Sequence, residues 1–226
     1  MVIVSLVCRR LKAQGADGSH REPARPPKPA GRRRSGHHGT GECRIVHDAA
    51  PSALPLAIKL HILVGTMTGT AELVAQELEL AFGDENLAIE LTLMDGLDHR
   101  VFERPGIFLI CTSTYGQGEV PDNAKALYAD LLSSRPDLSR VRYGVFALGD
   151  STHVGTFCFG GKRFDEALGG LGATRLGPVF EHNASGGTLP EDVALEWFPE
   201  WIAEVRKQLD AEAAASRNAA LDPLKS

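Results

Sequence analysis

No C-x-x-C pair joins the four cysteines of this 226-residue chain, Cys8, Cys43, Cys111 and Cys158, which stand in unrelated sequence contexts. That absence argues against a disulfide framework and a zinc ribbon, and fits a reducing cytoplasm. His37, His38, Cys43 and His47 come nearest to a metal cluster, but no strand or helix pattern surrounds them to fix ligand geometry, so no metal is expected. Long apolar runs are scarce too: the opening "MVIVSLV" is apolar for only seven residues, has no positive charge before it, and is too short to span a bilayer. The expectation is a soluble protein.

Residues 1–56 contain no Phe, Trp or Tyr and hold six of the thirteen prolines, and "REPARPPKPAGRRRSGHHGTG" has too few large apolar side chains to bury. They read as a disordered basic extension, in preference to a nucleic-acid contact or an organellar transit segment. Ten basic residues against four acidic ones give that segment a net charge of +6. The remaining chain carries fourteen basic and twenty-five acidic residues, a net of −11. An acidic domain repels nucleic acid and anionic membrane and attracts partners with a basic face.

From residue 57 onward, short β-branched runs alternate with helical periods, the pattern of an α/β fold with a parallel sheet. Strands are predicted at 57–64, 87–95, 106–113, 141–150 and 174–181. The intervening helices include "AELVAQELELAF", "DNAKALYADLLSS" and "GKRFDEALGGL". A last helix is predicted from Pro190 to about Ala214, kinked at Pro199. Its Trp197, Trp201 and Val205 recur at four-residue spacing, which reads as core packing against the sheet. The domain boundaries expected are 1–56 for the extension, 57–212 for the domain and 213–226 for a flexible tail.

Lysine and arginine are missing from "GTMTGTAE" at 65–72, a hydroxyl-rich turn between the first strand and first helix. A nucleoside-triphosphate loop of the form G-x-x-x-x-G-K-[ST] needs its lysine, and here Thr70 follows Gly69, so ATP and GTP are poor candidates. Backbone amides, a helix N-terminus and threonine hydroxyls suit a single terminal phosphate, which points to a mononucleotide. Two further loops leave predicted strand ends with unusual chemistry: "TSTYGQGEVPDNA" and "GDSTHVGTFCFGGK". In open parallel sheets, ligands bind beyond such ends.

Taken together and in order, these three loops resemble those of the flavodoxins, over residues 57 to about 210. "RYGVFALGDS" and "LPEDVALEWFPEWI" are similar to stretches of the short MioC-type members. The resemblance implies a three-layer, doubly wound, five-stranded parallel sheet of order 2-1-3-4-5 and a bound FMN. It places Thr66, Met67, Thr68, Gly69, Thr70 and Ala71 around the ribityl phosphate. Thr112, Ser113, Thr114, Tyr115, Gly116, Gln117 and Gly118 form the second cofactor loop. In it Tyr115 stacks on one flavin face, and the peptide at Gly116 turns over on reduction. Leu148, Gly149, Asp150, His153, Phe157 and Cys158 form the third. There His153 stands where relatives commonly have tyrosine, and "VGTF" reads as one residue longer than usual. His153 is left open to stack, hydrogen-bond the flavin, or face solvent.

The function implied is a low-potential one-electron carrier between an NADPH-dependent flavodoxin/ferredoxin reductase and acceptor enzymes, without a substrate of its own. It is expected to be a cytoplasmic monomer that meets its partners through an acidic surface. A small NAD(P)H:quinone reductase is the alternative, although the long insertions that build such a pocket are missing. "CFGGKR" has four residues between Cys158 and Arg163, one fewer than a tyrosine-phosphatase loop needs.

Overall fold

The computed structural model describes residues 57–221, so the expected disorder of 1–56 and the cluster around His37 and Cys43 lie outside the described residues. Four strands alternate with helices: β1 Ile58–Gly65, α1 Thr70–Phe82, β2 Leu87–Leu93, β3 Ile107–Ser113, α2 Lys125–Ser134, β4 Arg142–Gly149 and α3 Phe159–Gly170. Two short strands, β5 Thr174–Arg175 and β6 Phe180–Asn183, precede the long helix α4 Pro190–Leu221. All named pairings are parallel, in the order β2-β1-β3-β4-β5, with β6 also beside β4.

β1 and β3 are buried on both faces, which is why their sequences read as unbroken apolar runs rather than alternations. Leu60, Ile62 and Val64 face a core closed by α1 and α4, while Leu63 faces one closed by α2 and α3. Each fully buried side chain of this kind contributes about 1.5–3 kcal/mol relative to exposure. Phe198, Trp201 and Val205 are buried in the first core and Trp197 packs against it, so the tryptophans serve packing, as their spacing predicts.

The sequence differs from the structure at two places. The predicted fifth strand, 174–181, is split because Gly177 adopts φ 77° and Pro178 has no N–H for a ladder. Leu176 still spends its carbonyl, accepting a 2.8 Å hydrogen bond from Trp201 Nε1. The last helix runs to Leu221 instead of ending near Ala214, so part of the stretch expected as a tail is helical. Its continuation "SRNAAL" contains no Gly or Pro and is rich in alanine, which favours helix. Among the described residues no helix is long and apolar enough to cross a membrane, and none of their His, Cys, Asp and Glu side chains cluster as a metal site.

Candidate functional site

Parallel topology brings the carboxyl ends of β1, β3, β4 and β6 to one edge of the sheet, and the loops leaving them enclose a cavity of about 460 Å³. That size falls in the range of small-molecule sites, roughly 300–1,000 Å³.

The first loop is held by its own hydrogen bonds. Thr66 N–H donates to Asn123 Oδ1 at 2.9 Å, and Gly69 N–H donates to Thr66 Oγ1 at 2.9 Å. Asn123 also donates through Nδ2 to Val64 O at 3.1 Å, so one side chain clamps the turn to the end of β1. Gly69 sits at φ 87°, a conformation that would strain any residue with a Cβ, and opens α1. Thr68 Oγ1 and Thr70 Oγ1 lie 3.3 Å apart. The first-turn N–H groups of α1 have no intrahelical acceptor and lie at the helix dipole's positive end. Met67 is anchored through its sulfur, which accepts from Asp122 N–H at 3.2 Å.

The second loop is a closed tip. Tyr115 and Glu119 form an antiparallel bridge around Gly116, Gln117 and Gly118. Thr114 Oγ1 donates to Leu148 O at 3.0 Å and accepts from Gly160 N–H at 3.1 Å, which fixes the tip to β4 and α3. Tyr115 remains 48 % exposed, its ring available at the cavity mouth. Beside it, Lys125 Nζ lies 2.7 Å from Asp122 and 3.7 Å from Glu119, so these carboxylates share one cation.

In the third loop, Asp150 Oδ1 accepts from the Thr152 hydroxyl at 2.7 Å and from its N–H at 2.8 Å. Those two bonds, the hydroxyl's foremost, hold the Asp150 carboxyl below the usual carboxylate range. His153 is exposed and lines the cavity along with Tyr115. Cys158 begins α3 at φ 57°, its sulfur buried near the carbonyls of Ala147 and His182, and burial pushes its thiol up to about 12.

Nine of the predicted residues line the cavity: Thr70, Ser113, Thr114, Tyr115, Gly116, Leu148, Gly149, Asp150 and His153. Thr66, Met67, Thr68 and Gly69 adjoin it through Thr70, and Gln117 and Gly118 complete the tip. Ala71, Thr112 and Cys158 are sealed in the core, and Phe157 packs beside it. Thr112 is pressed against Gly65, where a Cβ would stand 2.4 Å from Thr112 Oγ1. Any part Ala71, Thr112 and Cys158 take in binding is through the backbone.

A fourth loop, after β6, was not anticipated: Thr156 aside, the unpredicted lining residues are His182, Ala184, Thr188 and Pro190. Asn183 Oδ1 joins it to the third loop by accepting from Ser151 N–H at 2.9 Å and from the Ser185 hydroxyl at 2.7 Å. The available signal was the polar "HNASGGT" at a strand end, before a helix.

This donor set fits FMN: hydroxyls and a helix N-terminus for a phosphate, and the aromatic rings of Tyr115 and His153 at the mouth. The family model described as Flavodoxin matches residues 62–197. Flavodoxin YqcA of Pectobacterium carotovorum is 39 % identical over 154 residues, covering 66 % of this chain and 99 % of that one. Protein MioC of Escherichia coli K12 is 32 % identical over 141 residues, covering 62 % and 94 %. A solved structure of a cysteine-to-alanine mutant of flavodoxin from Pseudomonas aeruginosa is 35 % identical with a TM-score of 0.59, covering 65 % and 98 %. With the sheet order, the loop constellation and these likenesses in agreement, the chain belongs to the flavodoxin family, as a short-chain MioC-like member of a group of FMN-binding electron-transport proteins.

Proposed function

We propose that this chain is a carrier that passes single electrons between an NADPH-dependent reductase and acceptor enzymes, and that the loops of the cavity hold its FMN. The observation that carries this reading is the second loop: a half-exposed tyrosine and a glycine tip stand at the mouth of a cavity otherwise closed by the sheet and two helix starts. FMN, when bound, supplies the redox chemistry.

The residues of the chain bind and gate. Thr68, Thr70 and the α1 amides replace the missing cation at the phosphate, and Asn123 keeps their loop in place. Tyr115 and His153 cover the cofactor's faces while leaving an edge open to partners. Gly116 stands at φ 53° with no atom within 4 Å of where a Cβ would be, so its peptide has room to reorient. Fixed hydroxyl donors compensate phosphate charge only in part, which disfavours adding negative charge nearby and keeps the potential low.

Docking on a basic partner rests on the negative domain charge. Near the cavity mouth, Lys125 sits between Glu119 and Asp122 and leaves their cluster with a single net negative charge. Exposed Met67, Tyr115, Val154 and Leu189 lie on the cavity loops and supply apolar contact area. Two buried free cysteines, Cys111 and Cys158, suit a cytoplasmic monomer.

The test is the visible spectrum and extracted cofactor of purified full-length protein. One FMN per chain, reducible in two separate one-electron steps, supports the proposal. A protein that refuses FMN overturns it.

A further inference from the structure

The two glycines in the tip of the second loop have opposite surroundings. Gly116 has open space where a Cβ would be, whereas a Cβ on Gly118 would stand 3.0 Å from Phe159 Cδ2 and 3.1 Å from Thr156 Cγ2. One end of the tip is free, and the other rests on a platform made by the last turn of the third loop and the first residue of α3. A hydrogen bond from Phe159 N–H to Thr156 O, at 3.2 Å, joins the two halves of that platform. Phe159 is nevertheless 36 % exposed, so burial alone does not fix its ring.

Lys162, one turn along α3, supplies the fixing. Its Nζ donates to Phe157 O at 3.0 Å and pairs with Glu181 Oε2 of β6 at 3.0 Å. The same ammonium lies 5.4 Å from the centre of the Phe157 ring and 5.8 Å from that of Phe159, both within cation–π range. A carbonyl, a carboxylate and two rings, drawn from the third loop, α3 and β6, thus converge on one cation. An ion pair this exposed adds little to stability, so the consequence of the convergence is placement.

We propose that Lys162 is a positioning residue of the cofactor site: it clamps the end of the third loop to β6, holds the Thr156–Phe159 platform under Gly118, and leaves Gly116 as the end of the tip that can move. What the tip covers rests on the FMN reading of the cavity, whereas the clamp rests on geometry alone. Lys162 is not among the residues that line the cavity, and its ammonium is already engaged by Phe157 and Glu181. A remote lysine can also act by charge alone, and the two modes differ in outcome because Lys162 and Glu181 carry opposite charges. Losing the positive charge weakens the hold on a phosphate dianion, losing the negative charge strengthens it, and neither loss alters the hold on an uncharged flavin. Losing either half of a clamp loosens the tip for every flavin.

The experiment compares Lys162→Met and Glu181→Gln with the unsubstituted full-length chain. The two side chains are 38 % and 35 % exposed, so neither change opens the core. Amide hydrogen exchange is followed at Tyr115 and Glu119, whose N–H groups close the base of the tip, with the β1 amides as reference. The flavin-free chain is titrated with FMN and with lumiflavin, which is uncharged and has neither polyol nor phosphate. Expected in both variants are faster exchange at Tyr115 and Glu119 with β1 unaltered, and affinities for both flavins reduced roughly threefold. The first-electron potential of the FMN-loaded chain should shift in the same direction in both. Tip exchange unchanged in Lys162→Met, or FMN affinities and potentials that move in opposite directions in the two variants, overturns the clamp while leaving the FMN reading intact. Failure of the unsubstituted chain to bind either flavin overturns the FMN reading, and exchange at the tip then still decides the clamp.

Discussion

Tyr115 and Glu119 are locked to each other by two backbone hydrogen bonds: Tyr115 N–H donates to Glu119 O at 3.0 Å, and Glu119 N–H donates to Tyr115 O at 2.7 Å. The pair forms the base of a three-residue tip in which Gly116 and Gly118 both have positive φ, 53° and 85°. Motion of the tip is thereby confined to the peptides between them.

Gly116→Ala adds a Cβ that meets nothing but restricts the backbone, with a conformational cost of about 1 kcal/mol. The first-electron potential of the FMN-loaded protein is expected to become more negative, and the melting temperature to fall by a few degrees because the folded tip holds this position at φ 53°. Redox titration checks this, and an unchanged potential means that the tip does not reorganise on reduction.

Thr70→Val removes one hydroxyl from a loop with no lysine or arginine to replace it. Loss of a hydrogen bond to a charged group costs about 1.5–3 kcal/mol, so the FMN dissociation constant should rise at least about tenfold. Riboflavin affinity should stay level. Parallel losses for the two ligands would place the phosphate elsewhere.

Asp150 has a depressed pKa in the folded state, held there by the hydroxyl and N–H of Thr152. A group of this kind stabilises the fold above its unfolded pKa, about 3.9, and loses that contribution as pH falls through the lower folded value. The melting temperature of Asp150→Asn should lie below that of the unsubstituted chain at pH 6 and approach it in strong acid. Curves that stay parallel from pH 6 to 2 would contradict the role of the charge, whichever curve lies higher.

Lys125→Ala leaves Asp122 and Glu119 without their shared cation, doubling the local negative charge. Reduction by a basic reductase should quicken at low salt, and the gain should vanish near 1 M, where the Debye length is about 3 Å. Stopped-flow rates that ignore both substitution and salt would show that the tip plays no part in steering.

The sheet order and three of the four cavity loops were legible in the sequence because β1, β3 and β4 are buried on both faces and read as apolar runs ending at loops of distinctive chemistry. The fourth loop was hidden for a physical reason. β6 is only four residues long and lies so close in the chain to the two-residue β5 that the pair reads as one strand across the Gly177–Pro178 break, so the place where His182 enters the cavity is not marked. Asn123 was equally silent: it clamps the first loop from 57 residues away in the chain, through a contact that no local pattern signals. Thr112 and Cys158 sit within recognisable motifs but are folded inward, since strand alternation and the entry into α3 decide side-chain direction.

The central claim is that the protein carries electrons and turns over no substrate of its own, and stopped-flow spectroscopy of the FMN-loaded full-length chain with NADPH tests it most directly. With NADPH alone the flavin should stay oxidised. Adding a catalytic amount of ferredoxin/flavodoxin-NADP⁺ reductase should reduce it, with electrons then passing on to an added one-electron acceptor. Rapid NADPH oxidation by the chain alone, accelerated by a quinone, would contradict the carrier and identify a reductase.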